Sequence, residues 1–315
     1  TTQINNLSDT QVKLLSANQF AGLSTTQVAN LSTGKLSLLS AAQLAAFDTN
    51  DMAALTTSQK TGLGTAQLKA LTAVQVGAMS ADLVDSLTAT QFKQFSNTQI
   101  AALSTGAVAK LTAAKVNELT AAQIKSFTTT QIAALSTNVT GSLNTSSLAA
   151  LSTTQVSVLA TNVLANLTTT QTTALTTDQV KALNSASITS LTTNQLKALT
   201  TTQLQAVDVE DLNALSTTQI KLLTTNQIQS LKATQIAGLS TAALSAMTTS
   251  QISNLKDAQV RALSTDQVSS LTTSQVNKLG TAQLAAMSTD DIVALSSSQV
   301  GALSTEQISK LSLAH

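Results

Sequence analysis

The sequence predicts an all-α solenoid built from very short helices, one per eight-residue repeat. Three observations carry that prediction. Counting from Leu7 in steps of eight gives 39 anchor positions ending at Leu311, and every one is apolar: 32 are Leu, the others Phe47, Met79, Phe95, Phe127, Val207, Met247 and Met287. Nearly every anchor is followed by a helix-start phrase. The charges sort along each repeat as they would along a separate helix.

With the anchor labelled a, position b is Ser, Thr, Asp, Asn or Gly in all but Ala160, Lys232 and Lys256. Position e is Gln in 27 of 39 repeats, and f is apolar except at Lys60, Thr140 and Thr172. In the phrase Ser24-Thr25-Thr26-Gln27, the Ser side chain can accept from the backbone N–H three residues on, while the Gln reaches back to the Ser N–H. Leu23 and Val28 flank this capping box at the two positions of a hydrophobic staple. Each octad therefore contains its own helix start, and b is where the chain should bend.

An isolated helix favours acids near its N-terminus and bases near its C-terminus. Of 15 acids, 13 lie at b to e, all but Asp85 and Glu118; of 16 bases, 11 lie at g or h, among them Lys69, Lys93, Lys181 and Arg261. A dipole that restarts every eight residues excludes one long helix, whose apolar stripe would drift by about 80° per octad. The alternative is a β-solenoid, since Thr and Val favour strands. Its period-two alternation is poor, with three polar residues followed by apolar ones in most octads. Helices of about one and a half turns cannot bury enough surface to order themselves, so their a/f faces must pack on neighbours. The expected core is the a and f rows, with small residues at h allowing close approach and Thr, Ser, Asn and Lys outside.

The count runs without insertion or deletion, so residues 1–315 are expected to form one continuous array of about 39 octads. Apolar residues make up 43%, charged residues 10% and aromatic residues 2%, with a formal net charge of +1 and neither Trp nor Tyr. That composition argues against nucleic acid as a partner, because it offers neither a basic footprint nor stacking platforms. No apolar run approaches the roughly 20 residues of a membrane span. With no Cys, there is no disulfide or thiolate site. The chain opens in mid-phrase at Thr1, so an addressing segment is expected to have been removed.

No catalytic, cofactor or metal site is expected. His315 is the only histidine and terminal, where nothing would orient it as a base. The acid clusters Asp208/Glu210/Asp211, Asp48/Asp51 and Asp290/Asp291 occupy b, d and e, where capping explains them better than a calcium loop. The four Met residues sit at a or f and read as core. Lys60 and Thr172 interrupt the f row, as local defects or with the Lys60 ammonium reaching the surface.

The phrases "LSTTQVAN", "LTTDQVKAL" and "LSTTQIKLL" resemble the tandem octad arrays of very large secreted or surface proteins of bacteria, often labelled adhesin or haem-utilisation proteins. The resemblance implies an extracellular structural or adhesive role. Its haem label does not transfer, since this chain has no Cys and no internal His. The expectation is a non-enzymatic stalk, spacer or filament subunit at a bacterial cell surface. The first and last octads follow the same consensus as the middle, which predicts either head-to-tail self-association or a segment of a longer polypeptide whose neighbouring octads cover the two ends. The alternative is a Thr/Asn-rich surface that binds polysaccharide or ice.

Overall fold

The structure, a computed structural model, describes residues 3–314, with side chains over residues 3–311. Among the described residues 69% are helical and none forms a strand, so the β-solenoid alternative falls. There is one helix per octad, 39 in all among the described residues, mostly of five or six residues. The chain divides into two compact units, Thr1–Leu159 and Ala160–His315. Each is described by itself, and both follow the same rules.

The bend is made by two extended residues, not by glycine. Leu55 has φ −56° and ψ 134°, and Thr56 has φ −71° and ψ 159° before the helix Thr57–Thr61 resumes. No described residue has positive φ. The preceding helix closes as the anchor N–H turns back to the f carbonyl, as in Leu31 to Val28 at 3.1 Å. The next helix opens with the box read from the sequence: Ser24 N–H donates to Gln27 Oε1 at 2.8 Å, and Gln27 N–H donates to Ser24 Oγ at 3.3 Å.

Helices three apart in sequence pack together. In the first unit Thr25–Ala29 lies against Thr49–Ala54, and Ala73–Gly77 against Asn97–Ala102; in the second, Ser185–Ser190 lies against Val209–Ala214. The a and f rows face inward, with Val28, Val76, Leu164 and Leu284 fully buried. Phe20 meets Phe47 edge to face at 6.1 Å, joining successive turns through their rings. Small side chains let the turns approach: a Cβ at Gly238 would lie 2.6 Å from Val209 Cγ1.

A third row is buried that the a/f reading omits. In the first unit, each position-e Gln from Gln43 to Gln155 sends its amide into the preceding turn. In the second, those from Gln195 to Gln307 do the same. The target is always the anchor carbonyl 28 residues earlier, and usually the f carbonyl 31 earlier as well. Gln131 is typical: Oε1 accepts from Thr128 N–H at 2.7 Å, while Nε2 donates to Leu103 O at 2.7 Å and Ile100 O at 3.0 Å. The anchor carbonyl is an orphan at a helix end, and leaving it dry and unpaired would be costly, whereas the f carbonyl already accepts from the anchor N–H and takes the amide as a second donor.

Where e is not Gln, some octads find a substitute. The cap N–H of Ser32, Asn144 and Ser240, whose e residues are Lys35, Ser147 and Ala243, donates instead to Asn5, Asn117 and Asn213 Oδ1 at 2.7 to 2.9 Å. The same amides donate to the h carbonyls of Asn30, Ser142 and Gly238. Lys115 replaces Gln at e and donates its ammonium to the Asp85 carbonyl.

Two outcomes follow. Gln131→Ala strands the Thr128 N–H and the Leu103 carbonyl, while Ile100 O keeps its bond from Leu103 N–H; it should cost roughly 2–4 kcal/mol in chemical denaturation, with amide exchange rising first around Leu103 and Thr128. Asn213→Ala should cost about 1–2 kcal/mol, and adding Ala243→Gln should restore most of it; a double-mutant cycle reads the coupling, and strict additivity would refute the substitution rule.

Candidate functional site

The acid clusters are resolved by local bonds. Asp48 and Asp51 form a reciprocal box, with Asp51 N–H donating to Asp48 Oδ1 at 2.8 Å and Asp48 N–H to Asp51 Oδ2 at 3.2 Å. Ser288 and Asp291 do likewise. The third cluster departs from expectation. Asp208 makes no side-chain cap, and Asp211 Oδ1 instead accepts from Ser185 Oγ at 2.7 Å on the neighbouring turn. Among the described residues, no three His, Asp or Glu side chains converge as a metal site would require. His315 lies outside the described residues.

The f-row interruptions are buried. Thr140 and Thr172 turn their hydroxyls back to the carbonyls of Ser136 and Thr168 four residues earlier, so neither needs a distant partner. Lys60 does not reach the surface: it is 4% exposed, and its Nζ donates to Ala53 O at 3.3 Å. Burial holds its ammonium below the ordinary lysine pKa of 10.5. Asp51 moves the opposite way, its carboxyl pushed above 3.8 by burial, with the Asp48 N–H bond opposing that shift and the Asp48 charge adding to it.

Two of the concave places on the surface are open grooves lined largely by polar side chains. In the first unit a groove of about 630 Å³ is lined by Lys69, Lys93, Ser96, Asn97, Thr98 and Gln123. Lys93 is paired with Glu118 at 3.1 Å, and Ser96 Oγ lies 2.9 Å from Thr98 Oγ1. A smaller groove in the second unit, about 230 Å³, uses the same octad positions: Lys181 for Lys69, Gln205 for Lys93, Asp208 for Ser96 and Gln235 for Gln123. Paired hydroxyls recur at Thr128/Thr130, Ser152/Thr154 and Thr200/Thr202. In none of these bonds does an imidazole or carboxylate stand beside a hydroxyl as a base would. They can make hydrogen bonds to a ligand, but they do not activate a nucleophile.

Three stretches match the ALTTAQ repeat. A model of that tandem-repeat family matches residues 204–241, 254–281 and 276–313, all in the second unit. No curated protein matches the chain. Among the described residues no helix is long and apolar enough to cross a membrane. The grooves carry no sequence signature beyond the octad itself, because they arise where g, h and b residues of stacked turns meet.

Both buried charges give pH tests. Unfolded, Lys60 holds its proton up to 10.5, whereas folded it gives it up earlier; the unfolded chain thus binds more protons in that window and stability rises with pH. Lys60→Met should add about 1–3 kcal/mol at pH 7 and abolish that alkaline gain, read by urea titration across pH. For Asp51 the folded chain holds the proton longer, so its contribution falls as pH rises from 3.8 through the raised folded value. Asp51→Gln removes this loss and places an amide donor near Phe20 O and Leu23 O. A gain of about 1–2 kcal/mol at neutral pH is expected, and a loss would contradict the proposed role of the amide.

Proposed function

We propose that this chain is a non-enzymatic structural protein, a filament subunit or a surface stalk of adhesin type, working outside a bacterial cell as one array of octads. The observation that carries the reading is the position-e amide row. One bonding scheme recurs with little variation along both units and occupies the interior polar groups. Catalysis requires unlike groups held together at a particular place. The recurring scheme produces like groups at every place. The match to a tandem-repeat family supports the array, and the location rests on the resemblance of the octad phrases to those of large surface proteins of bacteria.

The second reading, recognition of a polysaccharide or an ice surface, draws on the Lys69–Thr98 groove and the hydroxyl pairs. These groups present donors and acceptors at octad intervals. They lack the exposed aromatic faces on which sugar rings stack, since Phe95 is 1% exposed.

Electron microscopy of the purified chain separates the outcomes. Elongated particles or filaments, with no saturable response on glycan arrays and no inhibition of ice recrystallisation, are expected. Micromolar glycan binding lost on Lys69→Ala would move the assignment to the second reading. Turnover of any substrate abolished by one point substitution would overturn both.

A further inference from the structure

We propose, resting on the structural-array reading for its purpose, that the bends at Ser136, Ala160 and Asn184 are yielding points, where the array parts locally ahead of the bends that carry Gln. At a stitched bend the Gln oxygen takes the cap N–H and the Gln nitrogen takes an anchor carbonyl of the preceding turn, as at Thr128 and Leu103. The octads without Gln at e are not spread evenly. At the 24-residue spacing that packs one turn on the next, Lys115, Val139, Val163, Ser187 and Asp211 follow one another with no Gln among them. The first two belong to the first unit and the last three to the second.

In the first unit the helix Ala113–Asn117 lies against Thr137–Gly141. Val139 stands at e, where its side chain neither accepts nor donates. Among the described residues no acceptor takes the Ser136 N–H and no donor reaches Leu111 O, the counterparts of the two groups that Gln131 serves. The same octad carries Thr140 in the f row, so its apolar burial is reduced as well. Its far end is tied, by Asn117 Nδ2 to Ser142 O at 3.0 Å. In the second unit Thr161–Ala165 lies against Ser185–Ser190, and among the described residues no hydrogen bond joins these two helices. The cap N–H groups of Ala160 and Asn184 likewise find no acceptor among the described residues, and Ala160 makes no side-chain cap.

These bends are bounded by cross-turn bonds of another kind. In the first unit Lys115 donates its ammonium to Asp85 O, and in the second Asp211 Oδ1 accepts from Ser185 Oγ at 2.7 Å. Adjoining octads keep the amide: Gln131, Gln155 and Gln195 each hold the anchor carbonyl 28 residues earlier. Opening is thus confined to one side of a turn while the other sides stay stitched. In a stalk or filament under tension, such a bend gives before the interior is lost. A shorter run of the same kind, Leu83 and Ala107 after the caps Ser80 and Ser104, occurs elsewhere in the first unit.

The test is amide hydrogen exchange on the full 315-residue chain, read at the f-position N–H groups. Thr140, Leu164 and Ile188 bond the b carbonyl four residues back at 2.9 to 3.1 Å, as do Ile132, Val156 and Leu196 in Gln-bearing octads close by. A difference between the two sets therefore reports opening and not local geometry. Thr140, Leu164 and Ile188 should exchange at least about tenfold faster, and Val139→Gln should slow Thr140 by about tenfold. Gln131→Val, which removes the amide from a stitched bend, should speed Ile132 by a similar factor. Equal exchange in the two sets overturns the proposal, and so does a Val139→Gln chain of unchanged circular dichroism in which Thr140 is no slower. If that substitution unfolds the chain, Gln131→Val decides alone, and an Ile132 amide as slow as in the parent overturns the proposal. Each of these failures leaves the structural reading standing, because that reading fails through the ligand and turnover assays above.

Discussion

The fold depends on a single side-chain amide that serves two turns at once. A chain that bends every eight residues cuts its helices so short that each one ends with carbonyls no further helical N–H can reach. In the apolar interior made by the a and f rows those carbonyls have no water. Gln at e answers both ends of the defect: its oxygen completes the start of its own helix, and its nitrogen satisfies the end of a helix one turn earlier. The reach is specific to Gln. Asn is a methylene shorter, and Glu has the oxygen without the donor.

Several of the exceptions support this accounting because they replace the function and not the residue. Lys115 supplies a donor to a carbonyl of the previous turn through its ammonium, and Asp85 beside it lies 3.5 Å away with a countercharge. Asn5, Asn117 and Asn213 supply the missing acceptor from the turn before, entering from g instead of e. Asp51 and Asp291 keep only the acceptor half. Asp51 shows the consequence, a carboxyl held dry and pushed toward its neutral form. Lys35 moves its charge outward to Asp9, whose carboxyl that ammonium holds below its ordinary pKa.

Local features were legible in the sequence because they are bonds between residues three or four apart. The boxes at Ser24/Gln27 and the staples from a to f required no knowledge of the turn. The destination of the Gln nitrogen was not legible, since its partners lie 28 to 31 residues away and any period near three or four octads per turn fits the repeat. One signal was nevertheless present. A capping box needs only an acceptor, and Glu would add a favourable charge at a helix N-terminus. Yet none of the 39 e positions is Glu and 27 are Gln. Preference for the neutral amide over the better-charged acid marks a donor in use. Asp208 misled for a related reason: its position promised a cap, but its partner Asp211 had been recruited by Ser185 across a turn. The grooves at Lys69 and Lys181 were hidden because stacking alone brings together residues from separate octads.

This bonding scheme also constrains where function can reside. Each octad's amide is fixed by its own box and directed to a generic pair of backbone carbonyls, so any octad of the consensus can follow any other. Many side chains at c, d and g are then released from folding, and they vary: Lys69, Lys125 and Val293 all occupy g. An interior that accepts interchangeable units extends by duplication without redesign, as the phrases AAQLAAF and TAQLAAM, ending at Phe47 and Met287 and alike at five of seven residues, illustrate. Length and surface are what such a chain can vary without disturbing its interior, which is the property the proposed structural role would use.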